Sequence, residues 1–154
     1  DKPILYKVKP VLLKEYQSRW YVVSAYKSNF KLFGLDRISD LKILEEQFEP
    51  IKEDVKSKFK TCVGVSNFYN KPEYIVLQFE ASQKPYLDKL PLHDSQELIT
   101  ETEESVTYEY YVVINYEFKQ HILKYANAVE VIQPQSLRNE IKNQLEKAVK
   151  AYLK

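Results

Sequence analysis

Short segments of alternating apolar and polar residues, separated by two- or three-residue turns, most constrain how the first third of this chain can fold. ILYKVK at residues 4–9 alternates strictly, and Pro10 then interrupts the pattern before VLLKEY. RWYVVSAY at residues 19–26 follows the turn QS, and KSN leads into a fourth segment that continues past Asp36 and Arg37. Alternation predicts β-strands, and the short turns predict antiparallel pairing. The pattern therefore predicts a small curled sheet or barrel.

The third segment contains two adjacent aromatic residues, Trp20 and Tyr21. Neighbouring side chains of a strand point to opposite faces, so Trp20 shares a face with Val22, and Tyr21 shares one with Arg19 and Val23. Tryptophan has the larger hydrophobic surface. We therefore expect Trp20 to pack in the core. Tyr21, flanked on its face by Arg19, is then the candidate for a ligand surface.

The middle of the chain predicts a connector between two domains. Ile51, Val55 and Phe59 recur at helical spacing in a highly charged segment, with Pro50 at the expected first turn. The predicted organisation is a β domain at 1–48, a connecting helix at 49–60 and a second domain at 61–154.

The second domain reads as β-α-β-β-α-β followed by one more helix, which is a ferredoxin-like order. That arrangement requires no cofactor and does not define a chemistry. The predicted elements are a strand at 73–80, a helix at 82–92, a hairpin turning at Glu103 and Glu104, a helix capped by Asn115 and ended by Asn127, the strand VEVI, and a last helix opened by Pro134.

Composition excludes several classes of function. The only two glycines, Gly34 and Gly64, are too far apart for a phosphate-binding glycine loop or a dinucleotide fingerprint. The single Cys62 with the separated His93 and His121 cannot form a zinc site, so we expect no metal.

No apolar run reaches the length of a membrane span and no signal peptide opens the chain, so we expect a cytoplasmic protein. The chain lacks methionine, which suggests a piece of a longer gene product.

Charge is distributed unevenly along the chain. Residues 1–43 carry nine Lys and Arg against four Asp and Glu, a net of +5, whereas residues 61–115 carry three against nine, a net of −6. The basic segment is also rich in aromatic residues. Cations interleaved with rings suit single-stranded nucleic acid, since cations meet phosphates while rings stack on bases. The alternative is a solvated face over a ring-filled core.

Several motifs in this order resemble one family. YKVKPVLL, RWYVVSAY and KLFGLDRI resemble the WYL domain, and LPLHDSQ and ILKYANAVEVIQPQSLRNEI resemble its C-terminal extension, WCX. The resemblance implies an α+β fold: a small Sm-like or SH3-like antiparallel β-barrel, here partial, then the ferredoxin-like extension. Three departures are a valine at 22 or 23 for the usual leucine, Gly34 where many members carry a basic residue, and Ala126-Asn127 for Tyr-Gly.

The resemblance also implies a role. Such proteins are typically bacterial transcription regulators whose N-terminal winged helix-turn-helix, absent here, binds DNA. The WYL domain is thought to sense a ligand, in some members single-stranded DNA or another nucleic acid, and the extension helps to form a homodimer. We therefore expect a sensing and dimerisation region that binds a nucleic acid fragment or other small anion. The alternative is a dimerisation scaffold with no ligand of its own.

The expected ligand contacts are basic and aromatic residues of the first domain. Arg37 and the lysines also have simpler readings: an ion pair between Asp36 and Arg37, and lysines that are merely solvated. The six candidates are Arg37, Lys31, Tyr21, Arg19, Lys9 and Lys7.

Two features of the second domain offer further alternatives. His93, Asp94 and Ser95 are consecutive and so cannot easily form a catalytic relay, which requires groups brought together in space, and we expect a turn or a helix cap there. Nothing else supplies enzyme chemistry, so we expect no enzyme. The tyrosines at 108, 110 and 111 suit packing on both sides of a strand, with base stacking as the alternative.

Overall fold

The computed structural model describes residues 4–153, and the chain divides into two compact units, Asp1–Lys60 and Thr61–Lys154. Both units mix an antiparallel sheet with helical turns or helices, so the predicted α+β class is confirmed.

Unit 1 is built on an open three-stranded antiparallel sheet in the order β1-β2-β3. The strands are β1 (Lys9–Tyr16), β2 (Arg19–Tyr26) and β3 (Asn29–Gly34). The register between β1 and β2 shifts after Pro10, at the predicted interruption, because proline cannot donate to the ladder. The predicted turn QS joins β1 to β2, with φ of 49° at Gln17 and 60° at Ser18. Positive φ at both positions matches the twist of a tight hairpin.

Two predicted strands of unit 1 are shorter in the structure. Residues 4–8 are not in a strand; Ile4, Leu5 and Lys7 are exposed, whereas Tyr6 and Val8 are half-buried. The last strand does not run past Asp36 and Arg37, because β3 ends at Gly34 and Leu35–Arg37 form a 3-10 turn. Asp36 there bonds a side chain on β2, a long-range contact that local alternation cannot reveal.

The prediction that Trp20 packs in the core is wrong. Its side chain is 52% exposed, whereas Val23 and Ser24 are 0% exposed. Trp20 lies next to the hairpin turn, opposite Glu15. The residues of β2 that are buried, Val23 and Ser24, lie further along the strand, away from the turn. Alternation correctly separates the two faces but does not show how far along the strand the covering extends.

The connector is also less helical than predicted. Helix α1 (Val55–Lys58) has a single turn, followed by a 3-10 turn at Phe59–Thr61, so Pro50 precedes the helix instead of opening it. The Asp54 carboxylate caps α1 by accepting from the Ser57 amide at 3.1 Å. Val55, from the predicted stripe, is buried.

Unit 2 has the predicted ferredoxin-like order. Its four-stranded antiparallel sheet runs β5-β6-β4-β7, and an additional helix follows the last strand. The elements are β4 (Glu73–Glu80), α2 (Lys84–Lys89), β5 (Glu97–Glu101), β6 (Ser105–Val112), α3 (Tyr116–Lys124), β7 (Val129–Gln133) and α4 (Gln135–Tyr152).

One hydrophobic core joins the inner face of this sheet to the helices. Each large side chain in this core contributes about 1.5–3 kcal/mol of stability by removing apolar surface from water. This packing stabilises helices that are too short to be stable alone. The core includes Ile75, Leu77 and Phe79 of β4, Tyr108 and Tyr110 of β6, Leu87 of α2, Phe118 and Ile122 of α3, and Leu137 and Ile141 of α4.

The ends of α3 were predicted with mixed success. Asn115 caps the helix as expected, since its side-chain oxygen accepts from the Phe118 amide at 2.8 Å. The left-handed residue after the helix is Ala126, with φ of 48°, and not Asn127. The helix ends at Lys124, two residues before the end predicted from Asn127, and Tyr125 packs on Phe79 with ring centroids 5.1 Å apart.

Candidate functional site

The strand register of unit 1 separates the six predicted contact residues. Tyr21 lies opposite Gly34, whereas Ser24 lies opposite Lys31. Residues 21 and 24 of one strand point to opposite faces of the sheet. Lys31 and Tyr21 therefore cannot contact one small ligand from the same side.

On the Tyr21 face, Arg19 makes two contacts. Its guanidinium carbon is 5.7 Å from the centre of the Tyr21 ring, a cation–π distance. Its Nη2 donates to Oδ2 of Asp36 at 2.6 Å. Both side chains of this ion pair remain about half exposed (43% and 55%), and such surface pairs contribute only about 0–1 kcal/mol. A stronger anion could therefore displace the carboxylate at little cost.

Gly34 makes room for that ion pair. A Cβ at this position would lie 2.7 Å from Oδ1 of Asp36 and 3.6 Å from Nη2 of Arg19. Its backbone is ordinary extended chain with φ of −68°, so glycine is not required by backbone conformation. Glycine at position 34 therefore does two things: it supplies no basic side chain, and it leaves the space in which Asp36 neutralises Arg19.

Arg37 is exposed, at the end of the 3-10 turn that follows β3. The local pair between Asp36 and Arg37 that the sequence suggested is not formed, since Asp36 bonds Arg19. Within residues 4–153, the Arg37 side chain has no ion pair or hydrogen bond. Its guanidinium keeps all its donors available to a phosphate or carboxylate.

On the other face, Lys31 is surrounded by rings. Its Nζ donates to the Tyr6 hydroxyl at 2.9 Å and lies 4.1 Å from that ring's centre and 5.3 Å from the Tyr26 ring. Tyr6 also contacts Tyr26 and Phe33 edge-on, at 5.5 and 5.1 Å. Sequence reasoning missed this cluster because Tyr6 and Lys31 are 25 residues apart in the chain. The Lys31 charge is half-buried and already engaged.

The two remaining lysines contact the segment that follows the sheet. Lys7 forms an ion pair with Glu46, and this hydrogen bond and charge lower the pKa of the Glu46 carboxyl. Lys9 lies over the Phe48 ring at 5.6 Å. Lys9 therefore contacts a ring within unit 1, and Lys7 forms an ion pair that is at least as exposed as that of Arg19 with Asp36.

In unit 2, His93 and Ser95 belong to a turn, as expected. The Ser95 hydroxyl accepts from the Tyr111 amide at 2.9 Å and approaches Nδ1 of His93 at 2.8 Å. The hydroxyl thus joins the turn to β6.

Two kinds of feature are absent from residues 4–153. No group of three or more His, Cys, Asp or Glu side chains in this range could hold a metal ion. No helix in the same range is long and apolar enough to cross a membrane.

Family models match both units. The WYL domain model matches residues 1–43, and the WCX domain model matches residues 71–149, about half of the chain. The chain belongs to the family of WYL proteins with a WCX extension, as its motifs predicted. Domains of this family are, in general, non-enzymatic sensing and dimerisation parts of regulators.

Among solved structures, the proteasome accessory factor B/C (PafBC) of Arthrobacter aurescens is similar to this chain, with 15% identity and a TM-score of 0.41. The match covers 94% of this chain and 22% of that protein, so this chain spans about a fifth of its length. A search of curated proteins finds no match.

Proposed function

We propose that this chain is the ligand-sensing region of a cytoplasmic bacterial transcription regulator, and that it binds an anionic effector on the Tyr21 face of unit 1. The effector class is a nucleic acid fragment or another small anion. The observation that carries the proposal is Arg37, an exposed guanidinium without a partner in residues 4–153, which follows directly in the chain after Asp36, the partner of Arg19.

The chemistry of this face suits a phosphate with a base attached. The planar guanidinium of Arg37 can donate two parallel hydrogen bonds to a phosphate. Arg19 can exchange the Asp36 carboxylate for a second phosphate, and the half-buried Tyr21 ring offers a surface for a base. The sheet's opposite face provides Lys31 only as a separate, already engaged cation.

In the complete regulator, the effector would act on the DNA-binding domain through a homodimer. This step requires different effector affinities in the two states of the regulator. The proposed DNA contact is made by an N-terminal helix-turn-helix outside this chain, and no cofactor, metal or membrane takes part.

A fluorescence anisotropy titration with a labelled oligo-dT of six nucleotides tests this function. We expect binding at low salt that weakens as salt rises, since phosphate contacts release counterions. Arg37→Ala should weaken binding about tenfold, a loss of about 1.4 kcal/mol, whereas Arg138→Ala on α4 is the matched control and should not. Asp36→Asn should strengthen binding because it frees Arg19.

Two results would count against the proposal. The first is no binding at low salt to either the oligonucleotide or inorganic phosphate. The second is an equal loss with Arg37→Ala and Arg138→Ala, which would indicate a response to net charge alone. Circular dichroism of each variant distinguishes a lost contact from a lost fold.

A specific observation also favours the alternative function, a dimerisation scaffold. The apolar stripe of α4 leaves the core after Ile141, so that Leu145 and Val149 are 38% and 57% exposed. They line a cavity of about 510 Å³ between α4 and the edge strand β7. Lys142 and Glu146 flank it, and charges of both signs suit a second copy lying antiparallel.

Analytical ultracentrifugation tests the scaffold. We expect a dimer that Val149→Glu converts to a monomer, while Asn143→Glu, which adds the same charge at an exposed position outside the cavity, leaves it intact. A monomer at all concentrations would contradict dimerisation through α4. A dimer with no anion binding would favour the scaffold over the sensor.

A further inference from the structure

The outer face of the unit 2 sheet carries a second surface, independent of the anion site. Strand alternation turns Ile75, Leu77 and Phe79 of β4 toward the core and the helices, so Tyr74 and Val76 point to the other side. The helices of unit 2 contribute to the core on the inner face. We propose that the outer face docks an arginine- or lysine-bearing segment of a protein partner.

Two tyrosine rings form the apolar part of this surface. Tyr74 and Tyr111 are directly opposite in the pairing of β4 with β6, and their ring centres are 4.7 Å apart. They are nevertheless 64% and 39% exposed. Tyr108 and Tyr110 on the same strand are buried, so only Tyr111 of the three tyrosines considered for base stacking is available. The pair keeps ring surface in water that a partner could cover.

Two carboxylates lie beside the rings. Glu97 of β5 and Glu109 of β6 are directly opposite each other, and Glu109 is two residues from Tyr111 on the same face. Neither carboxylate has an ion pair or hydrogen bond within residues 4–153. Like charges directly opposite on a sheet are destabilising. The fold therefore holds a repulsive pair that a cation placed between the two carboxylates would relieve.

Charge complementarity identifies the partner. A guanidinium or ammonium can lie on a tyrosine face while it pairs with an adjacent carboxylate. The stretch of chain that contains these three strands is also acidic overall, since residues 61–115 carry a net charge of −6 from three Lys against nine Asp and Glu. A nucleic acid would bring its phosphates against Glu97 and Glu109, so the rings suit a basic peptide and not a nucleic acid.

The test uses the full chain and a labelled peptide of alternating glycine and arginine as the probe, read by fluorescence anisotropy. Glu109→Gln and Tyr74→Ser should each weaken binding about tenfold. The matched controls are Glu103→Gln, in the exposed turn of the β5–β6 hairpin, and Tyr86→Ser, an exposed tyrosine on α2; both should change it less than twofold. A peptide of glycine and glutamate should not bind.

A second measurement excludes a merely structural role. Because Glu109→Gln removes a repulsion, its thermal midpoint should equal or exceed that of the unmodified chain although it binds the probe more weakly. The proposal is overturned if Glu103→Gln weakens binding as much as Glu109→Gln. It is also overturned if neither Glu109→Gln nor Tyr74→Ser has an effect, or if an oligo-dT binds in a manner that Tyr74→Ser abolishes.

Discussion

The two sheets of this chain are covered in different ways. In unit 2, helices α2, α3 and α4 place aliphatic and aromatic side chains on the sheet and form one continuous core. In unit 1, only Val23 is a fully buried apolar residue of the sheet, and Tyr6 with its neighbouring rings and the Lys31 stem covers much of one face. The opposite face carries the exposed ion pair of Arg19 and Asp36, and the proposed effector residues Arg19 and Tyr21 belong to that face.

The test of this comparison with the largest expected effect shortens a side chain in the unit 2 core. Leu77 is 0% exposed at the centre of β4, so Leu77→Ala removes packed methyl groups and leaves a cavity. We expect a loss of about 2–5 kcal/mol in the free energy of unfolding, measured by urea denaturation. Leu98→Ala on the edge strand, where the side chain is 49% exposed, is the control and should cost far less.

The second test removes a polar contact that joins parts of unit 2. The buried Asn115 amide donates to the Val63 carbonyl at 2.7 Å and the Ser66 carbonyl at 2.9 Å, besides capping α3. Asn115→Ala should lower the free energy of unfolding by about 1–3 kcal/mol, because it leaves buried groups unpaired. Hydrogen exchange should become faster at the Phe118 amide and unchanged in unit 1.

The third test compares two neighbouring positions of unit 1. Val23→Ala should destabilise by about 1–3 kcal/mol, whereas Trp20→Ala should change the free energy of unfolding by less than about 1 kcal/mol despite the larger side chain lost. The reason is that Trp20 is half exposed and Val23 is fully buried. Urea denaturation measures both losses in the free energy of unfolding. A greater loss for Trp20→Ala than for Val23→Ala would indicate that Trp20 packs in the core after all.

The smallest expected effect is a pH dependence in unit 2. Burial, with a lesser contribution from the Lys124 charge, lowers the pKa of His121 below its ordinary value of 6.5. The unfolded chain therefore binds a proton more readily than the folded chain, so stability is complete above about pH 6.5 and declines as the pH falls through the folded pKa. His121→Gln should flatten that decline in urea titrations between pH 7 and 5, and an unchanged slope would contradict the assignment.

Sequence reasoning succeeded where local pattern determines structure. The strand at Glu73–Glu80, the cap at Asn115 and the βαββαβ order all follow from periodicity and turn residues over a few positions. It failed where long-range contacts decide, as when Asp36 bonds Arg19, 17 residues away, and the chain leaves the sheet. The aromatic covering of Lys31 by Tyr6 depends on the same kind of distant contact.

The candidate site was predictable in kind but not in arrangement. Basic and aromatic residues in the first segment, together with the motif resemblance, identify Arg37, Arg19 and Tyr21 as candidates. That Lys31 lies on the other face follows only from the pairing register, in which Lys31 opposes Ser24. The sequence does not show the register, nor which carboxylate neutralises Arg19.

Position 34 has a consequence for how this surface could diverge among relatives. The atom nearest an added Cβ is the carboxylate end of Asp36, a flexible group that can rotate away, and the glycine backbone is unstrained. Gly34→Ala should therefore separate Arg19 from Asp36 without disturbing the sheet. Gly34→Lys should separate the same pair and also add a second cation to this surface. A substitution at this single position can thus convert a surface in which Asp36 neutralises Arg19 into a strongly basic surface. Residue 34 is therefore a position at which selection or engineering could change the preferred effector.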